Sequence, residues 1–327
     1  MNARTIGRWT AFAAAWLGLQ FAVYPAQAQK LSNRTMTLIV PTTAGTSMDF
    51  LARFIAEELK QRWDQVAVVE NKAGASHTIA IQAVARSQPD GHTLLSAANT
   101  LTTNVGFFKV MPYDPVKSLT PIVEMARGSL ALAVHPSLPA KSVAELVAYA
   151  KGQPGEVNYS STGPGTPQHL AMELLASRAG IKMTHVPYPG SAGAIRDLVA
   201  GHVKVMFVPS HQSIPLWQAN QIRLLAVSGK DRLPQLPDVP TLTQSGFDGV
   251  DVDSWYGLLG PVGVPADIVA RLNAFVNDIL KAPKYQQALA AHGLRPVGGT
   301  PEAFAELIKD DVARWTKVVK DAAIETK

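Results

Sequence analysis

Short β-branched runs alternate with amphipathic helical patterns over most of the chain. In segment 47–62, for example, Leu51, Ile55 and Leu59 recur at helical spacing and share one face. This alternation predicts βαβ units, in which helices join parallel strands. The predicted strands are 37–40, 66–69, 93–97, 130–134, 157–160, 184–186, 203–208 and 222–227. The predicted helices are 47–62, 78–86, 142–151, 168–179 and 192–200.

The C-terminal part of the chain has a different pattern. A Pro-rich connection, 232–240, leads to an extended segment, 250–259, and three helical patterns follow at 265–280, 283–292 and 301–322. Each of these helices begins with a proline, which the first helical turn tolerates. There are more βαβ units than one compact sheet needs. We therefore expect two α/β domains flanking a ligand cleft, with residues 31–129 plus 253–327 in the first and 130–252 in the second.

The first 28 residues have the pattern of a secretory signal peptide. Arg4 and Arg8 form a basic start, residues 10–23 form an apolar core, and Ala26-Gln27-Ala28 is a small-x-small cleavage site. The alternative is a membrane anchor, but the apolar run is shorter than the ~20 residues that a span requires. We expect export to the periplasm with cleavage after Ala28, and no membrane insertion.

Composition narrows the functional classes. The chain has 327 residues, a formal net charge of +5, no cysteine and eight scattered histidines. It has no Lys/Arg-rich run, so we expect no nucleic-acid partner. No metal-ligand spacing, phosphate loop, HExxH or G-x-S-x-G motif occurs in it. We therefore expect no metal, no cofactor and no catalytic residues, and predict a protein that is not an enzyme.

Three strand-to-helix loops combine glycine with small hydroxyl residues: 41–49, 71–77 and 160–169. Exposed N–H groups at a helix N-terminus attract anions, and hydroxyls add hydrogen-bond donors. Because ligands bind at the carboxyl ends of strands in open α/β sheets, these loops predict a carboxylate-binding cleft. The alternative is that they are ordinary helix caps. In the first loop, Thr46 and Asp49 fit a capping box.

The loops and their flanking segments resemble one known family. The segments that carry the resemblance are VPTTAGTSMDFLAR (40–53), VVENKAGA (68–75), VARSQPDGHTLL (84–95), MPYDPVKSLTPI (111–122), LAVHPSLPAKSVAELVAYAKGQPGEVNYSSTGPGTPQHLAMEL (132–174), HVPYPGSAGAIRDLVAGHVKVMF (185–207), IRLLAVSGKDRLPQLPDVPTLTQSGF (222–247) and SWYGLLGPVGVP (254–265). In this order they resemble the Bug or TctC family of extracytoplasmic solute-binding receptors of tripartite tricarboxylate transporters.

The resemblance implies a fold, a function and a site. It implies a type II periplasmic-binding-protein-like fold that closes by hinge bending on a dicarboxylate, tricarboxylate or aromatic acid. It also implies a monomer that delivers its ligand to the membrane components of a tripartite transporter. The ligand-binding residues that it implies are Thr43, Gly45, Thr46, Asp49, Ala75, Ser76, Ser161, Thr162, Gly165, Thr166 and His169.

The sequence departs from the family pattern in two loops. The family usually has Gly-Gly where this chain has Gly45-Thr46, and Gly-Ala-Gly-Gly where it has residues 74–77. We hypothesise that His77, together with His211, binds a second acidic or aromatic group of the ligand. The alternative is that His77 only starts its helix.

Two other functions share the same sequence features. A receptor that serves a membrane sensor kinase would have the same cleft and a different partner. A periplasmic carboxyl-ester hydrolase would need a nucleophile and a base. Ser210 and His211 are adjacent, but neighbours on a strand point to opposite faces and cannot form that pair.

Overall fold

The computed structural model describes residues 31–108, 110–250 and 252–321. The predicted signal peptide and its cleavage site lie outside these residues. The strands are β1 (Met36–Val40), β2 (Ala67–Asn71), β3 (Thr93–Ala98), β4 (Leu119–Gly128), β5 (Leu130–Val134), β6 (Asn158–Ser161), β7 (Thr184–Pro187), β8 (Val205–Pro209), β9 (Arg223–Val227), β10 (Ser254–Pro261) and β11 (Leu294–Pro296). The helices are α1 (Ser47–Trp63), α2 (Thr78–Ala85), α3 (Thr100–Phe107), α4 (Val143–Gly152), α5 (Pro167–Ala179), α6 (Ser191–Val199), α7 (Ser210–Gln218), α8 (Ala266–Lys281), α9 (Pro283–Ala291) and α10 (Pro301–Asp321). None of the helices in this part of the chain combines the length and apolarity needed to cross a membrane.

The strands form two sheets. The first has the order β11-β4-β10-β3-β1-β2, and the second has the order β7-β6-β8-β5-β9. In the first sheet β1 runs parallel to β2 and β3, while β10 lies antiparallel between β3 and β4. In the second sheet β6 runs parallel to β7 and β8, and β5 lies antiparallel between β8 and β9. This mixed α/β architecture confirms the predicted fold class.

We call the first sheet with α1–α3 and α8–α10 the first lobe, and the second sheet with α4–α7 the second lobe. The chain crosses between them twice. It passes from β4 to β5 through Ser129, and it returns from β9 to β10 through residues 228–253. The carboxyl ends of the parallel strands in the two sheets border one cleft, where the loops of predicted function lie.

Apolar side chains cover both faces of each sheet, so each lobe has its own core. In the first lobe, Leu51 and Phe275 belong to the cluster on one face, and Ile81 belongs to the cluster on the other. In the second lobe, Leu170 and Leu198 belong to the two corresponding clusters. The burial of these faces supplies most of the driving force for folding, which scales with the apolar area removed from water.

Helix α10 packs against both lobes. Near its start, Phe304 and Ile308 belong to a core cluster of the first sheet. Near its end, Trp315 and Val319 are buried in the main cluster of the second lobe. A Cβ atom on Gly106 of α3 would lie 2.9 Å from the Trp315 carbonyl oxygen, so α3 and α10 approach closely. The C-terminal helix is therefore a third link between the lobes.

Four elements were missing from the sequence prediction: α3, β4, α7 and β11. The polar residues Glu124 and Arg127 interrupt the apolar pattern of β4. They form an ion pair with Nε–Oε1 2.5 Å and Nη2–Oε2 3.1 Å, which allows the strand to be buried. Ser210 and His211 were placed on a strand, and this was wrong, because β8 ends at Pro209 and they begin α7.

A substitution on β10 tests how tightly α10 packs on the first sheet. A Cβ atom at Gly257 would lie 2.1 Å from Phe304 Cζ, and Phe304 is buried. We expect Gly257→Ala to lower the free energy of unfolding by about 1–3 kcal/mol through overpacking. Urea denaturation measures the change.

Gly152→Ala is the matched control, because nothing else in the fold lies within 4 Å of the position that its methyl group would occupy. This variant should be neutral or slightly stabilising, since alanine is the better helix former. Equal losses in both variants would contradict the packing argument.

Candidate ligand-binding cleft

A cavity of about 830 Å³ lies between the lobes, at the carboxyl ends of the parallel strands. Its walls come from the three predicted loops, from the loops that precede α6 and α7, and from β10. This is the position at which open α/β sheets bind ligands.

The first loop is held in shape by the buried carboxylate of Asp49. This carboxylate accepts hydrogen bonds from Gly45 N at 3.0 Å, Arg53 Nε and Nη2 at 2.9 Å each, and Asn71 Nδ2 at 3.0 Å. Burial acts to raise the pKa of Asp49, but the hydrogen bonds from Arg53, Gly45 and Asn71 hold it below its usual value. Because Asn71 ends β2 and also donates to the Thr42 carbonyl at 2.9 Å, the same network joins the first loop to the second.

Thr46 caps α1 as predicted. Its hydroxyl accepts a hydrogen bond from Asp49 N at 3.3 Å, and Thr42 Oγ1 lies 2.7 Å from Thr46 Oγ1. In a capping box, the Asp49 side chain would accept a hydrogen bond from the backbone N–H of Thr46. Here it accepts from the backbone N–H of Gly45, one residue earlier. Both roles of Thr46 are compatible, since it caps the helix and also lines the cavity.

The second loop has an uncommon backbone. Ala75, Ser76 and His77 are consecutive non-glycine residues with positive φ, of 45°, 48° and 74°. Such conformations favour glycine and cost about 1–2 kcal/mol per residue for other side chains. The loop is held by Asn104 Nδ2, which donates to the Ser76 carbonyl at 2.7 Å. All three residues line the cavity.

The position of His77 is compatible with both interpretations that the sequence left open, and its contact with a ligand stays a prediction. It is the residue before α2, although its side chain makes no capping hydrogen bond. It also lines the cavity, and burial lowers the pKa of its imidazole to about 4. At neutral pH the ring is therefore uncharged and offers one donor and one acceptor.

The third loop uses most of its hydroxyls internally. Ser161 Oγ and Thr166 Oγ1 both donate to the Gly163 carbonyl, at 3.1 and 2.7 Å. Gly165 N donates to His169 Nδ1 at 3.3 Å, so this histidine is also engaged within the loop. Thr162 is different, because it lines the cavity while its hydroxyl donates to Gln168 Oε1 at 3.0 Å.

The thirteen predicted ligand-binding residues thus divide into two groups. Those that line the cavity are Thr43, Thr46, Ala75, Ser76, His77, Thr162 and His211. Those that lie outside its lining are Gly45, Asp49, Ser161, Gly165, Thr166 and His169. In the second group, Asp49 and the third-loop residues shape the loops. Contact with a ligand stays a prediction for every residue of both groups.

Sequence reasoning missed several residues that line the cavity: Met48, Phe108, Tyr188, Ser191, Gln212, Ser254 and Tyr256. Tyr188 and Ser191 follow a strand in a Pro- and Gly-rich loop ahead of a helix, which is the signal used for the other three loops. Ser254 and Tyr256 lie on β10, far along the chain, and only the fold brings them to the cleft. Gln212 lies beside His211 at the start of α7.

His211 has an unsatisfied polar atom. Its Nε2 is buried, with no hydrogen-bond partner among the described residues. Burial, with a smaller contribution from His292, lowers the pKa of this imidazole to about 4. Buried polar atoms are nearly always paired, so this nitrogen is an exception inside the fold. Because it has essentially no accessible surface, it is not the part of His211 that lines the cavity.

The walls of the cavity carry no formal charge. Among the lining residues that the structure describes, none is Asp, Glu, Lys or Arg. Six helices, α1, α2, α3, α5, α6 and α7, begin at its edge. A helix N-terminus carries a partial positive charge and unpaired N–H groups. The cavity is thus uncharged in its side chains and electropositive in its backbone.

Two hydrogen bonds cross the cleft. Ser76 Oγ donates to the Pro164 carbonyl at 3.1 Å, and Thr103 Oγ1 donates to the Gly165 carbonyl at 2.7 Å. In both hydrogen bonds, the hydroxyl belongs to the first lobe and the carbonyl belongs to the third loop, which is part of the second lobe. The two lobes are therefore in direct contact across the cleft in this conformation.

Comparison with known proteins places the chain in a family. A family model described as "Tripartite tricarboxylate transporter family receptor" matches residues 51–324. The "UPF0065 protein in tcbD-tcbE intergenic region" of Pseudomonas sp. strain P51 is 36% identical over 311 residues, covering 93% of this chain and 92% of that protein. Protein BugT of Bordetella pertussis is 32% identical over 305 residues, covering 93% and 94%.

Solved structures of related binding proteins are also similar to this chain. Rpa4515 of R. palustris with adipate superposes with a TM-score of 0.85 at 36% identity, covering 93% of this chain and 100% of that one. MatC (Rpa3494) from Rhodopseudomonas palustris with bound malate gives 0.83 at 30% identity, covering 88% and 99%. The receptors of this family are periplasmic binding proteins rather than enzymes. Since the family model matches most of its length, this chain belongs to the tripartite tricarboxylate transporter receptor family, as the sequence resemblance indicated.

Proposed function

We propose that the chain captures a small carboxylate in the cleft between its lobes and delivers it to the membrane components of a tripartite tricarboxylate-type transporter. The observation that carries this proposal is the uncharged cavity at which six helix N-termini meet. Backbone N–H groups and hydroxyls can hold a carboxylate without a cationic partner. The adipate and malate in two related structures support the same ligand class.

The carboxylate is bound by the first loop in this proposal. Thr43 and Thr46 offer hydroxyls, and the start of α1 offers N–H groups. The remaining walls are largely apolar, with Met48, Phe108 and Tyr256 among them. A cavity of about 830 Å³ with such walls has room for a dicarboxylate, a tricarboxylate or an aromatic acid.

His77 and His211 are proposed to bind the second group of the ligand. Both rings are neutral at pH 7, because burial lowers each pKa to about 4. A neutral imidazole can donate to a carboxylate or pack on an aromatic ring.

Ligand capture is proposed to proceed by hinge closure. The moving bodies are residues 31–129 plus 253–327 and residues 130–252, joined at the two crossings and bridged by α10. The cross-cleft bonds of Ser76 and Thr103 stabilise the closed form. We further propose that the receptor works as a monomer in the periplasm after cleavage behind Ala28.

A thermal-shift screen tests the ligand class. The panel contains citrate, succinate, adipate, glutamate, nicotinate, benzoate and terephthalate, each paired with its amide or ester. We expect at least one acid to raise the melting midpoint by several degrees while its neutral analogue does not, since binding to the native state stabilises it. A shift with a neutral solute alone would exclude a carboxylate receptor.

Thr103→Val tests the closure step. The change keeps the shape of the side chain and removes the hydroxyl that reaches Gly165. The loss affects only the closed form, so every bound acid should lose affinity by the same factor of about fivefold, equivalent to about 1 kcal/mol. Isothermal titration calorimetry measures it.

The control is Thr120→Val, because Thr120 Oγ1 donates to the Pro261 carbonyl at 2.8 Å within the first lobe. It should leave affinity unchanged. Loss of affinity for one acid and not for another would mean that Thr103 acts on the ligand rather than on closure.

His77→Gly tests ligand discrimination. Glycine accepts the positive φ at this position, so the loop keeps its shape. Affinity for acids with a second acidic or aromatic group should fall about fivefold or more, while that for simple monocarboxylates stays. Ala75→Gly, which relieves the same kind of strain, should not discriminate. Unchanged preference in His77→Gly would refute the role of this histidine.

A further inference from the structure

A second cavity, of about 630 Å³, lies on the far side of the two chain crossings. One wall comes from β4, β11 and the end of α9, in the first lobe. The opposite wall is the segment 229–235, which follows β9 of the second lobe. None of the residues assigned above to ligand binding lines it.

Strand β10 separates the two cavities. Ser254 and Tyr256 line the cleft, whereas Asp253 and Trp255 line the second cavity. This follows from the alternation of side chains between the two faces of a strand. A rotation about the crossings that widens one cavity must therefore narrow the other.

The second cavity is rich in cationic groups, unlike the cleft. Arg127, Arg295 and Arg314 line it from the first lobe, and Lys230 and Arg232 line it from segment 229–235. Among the described residues, neither Lys230 nor Arg232 forms an ion pair. Arg232 donates to two neutral oxygens, Gln244 Oε1 at 2.7 Å and the Pro237 carbonyl at 2.7 Å.

The three acidic groups that line this cavity do not offset its charge equally. Asp253 accepts from Ser129 Oγ at 2.8 Å and lies 3.6 Å from Arg295. Asp311 is buried and accepts from Trp255 Nε1 at 2.9 Å, and burial raises its pKa. Asp231 is exposed. Glu124, which lies outside the lining, pairs with Arg127. The cationic groups therefore exceed the acidic ones by one, and Lys230 and Arg232, on the second-lobe wall, are the two that form no ion pair among the described residues.

We infer that the second cavity binds a multivalent phosphate-type anion and that its occupation holds the cleft closed. Guanidinium groups match phosphate oxygens in geometry, and here they face a lysine and an arginine across a space large enough for several phosphate groups. The coupling rests on the hinge closure proposed above, whereas the binding itself does not.

Contacts at the rim of the second cavity indicate that anion binding there favours the closed cleft rather than the open one. Gln235 Nε2 is already 3.4 Å from the Ala290 carbonyl, so the two walls touch at this edge when the cleft is closed. Opening the cleft would drive segment 229–235 further towards the first lobe and reduce the space. A bulky anion in that space resists the movement, and linkage requires that the cleft ligand tighten anion binding by the same factor.

Tripolyphosphate is the probe. Calorimetry of the whole protein should show saturable binding, and small-angle scattering should show a more compact particle with tripolyphosphate alone. The acid with the largest thermal shift should then bind at least about fivefold more tightly in the presence of tripolyphosphate. The double variant Lys230→Gln/Arg232→Gln should weaken tripolyphosphate at least about tenfold and leave acid binding in its absence unchanged.

The control variant Lys151→Gln/Lys182→Gln removes the same charge from exposed positions that line neither cavity. It should keep tripolyphosphate binding within about twofold at equal salt. The inference is overturned if tripolyphosphate does not bind, if both double variants weaken it equally, or if it lowers the affinity for the acid. Failure of acid binding without tripolyphosphate would instead refute the proposed function and leave the anion site standing.

Discussion

The buried carboxylate of Asp49 is the constraint on which the first-lobe wall of the cleft depends. It receives hydrogen bonds from its own loop, from its own helix and from the end of β2. A buried charge is stable only when its lone pairs are satisfied, so these donors must remain in place together. The relative position of two binding loops is thereby fixed by one side chain that does not face the cavity. The hydroxyl groups of the two loops take no part in these hydrogen bonds to the carboxylate.

In the second lobe, neutral groups rather than a buried charge hold the third loop in shape. Ser161, Thr166 and Gly163 close the third loop on itself, and His169 holds Gly165. The carbonyls of Pro164 and Gly165 then project towards the first lobe, where Ser76 and Thr103 meet them. Because these hydrogen bonds lie within the second lobe, they do not depend on contact with the first lobe, and little ordering entropy would oppose the proposed closure. In the proposed function, preorganisation on both sides would let an uncharged cavity bind a charged ligand.

Periodicity in the sequence was enough to predict the α/β class and most of the parallel strands. Segment 47–62, for instance, lies within one residue of α1. Helix α3 could not be predicted, since its sequence TLTTNVGF has weak helix propensity and the helix is held by packing against α10. Strand β4 was hidden by Glu124 and Arg127, which are polar in sequence but neutralise each other in the fold.

The candidate site shows the same limit. Glycine and hydroxyl content identified the three loops, but it could not tell which hydroxyls turn inwards. Ser161 and Thr46 look alike in sequence, yet the first closes its own loop and the second faces the cavity. Tyr256 lies on β10, where the chain comes back from the second lobe. No local sequence pattern indicates that this strand borders the cleft. The residue types of a loop can be read from the sequence, whereas the direction of each side chain depends on contacts between distant segments.

The attachment of α10 to both cores has a mechanical consequence. Phe304 is anchored in one body and Trp315 in the other, with only three helical turns between them. Two bodies joined by flexible strands alone could swing apart freely, but a helix seated at both ends must bend or shift before they separate. In the proposed hinge motion, α10 would therefore limit how far the two lobes separate and would favour one angle between them. The constraint on the angle between the lobes thus comes from a segment near the C-terminus, far along the chain from the three loops that border the cleft.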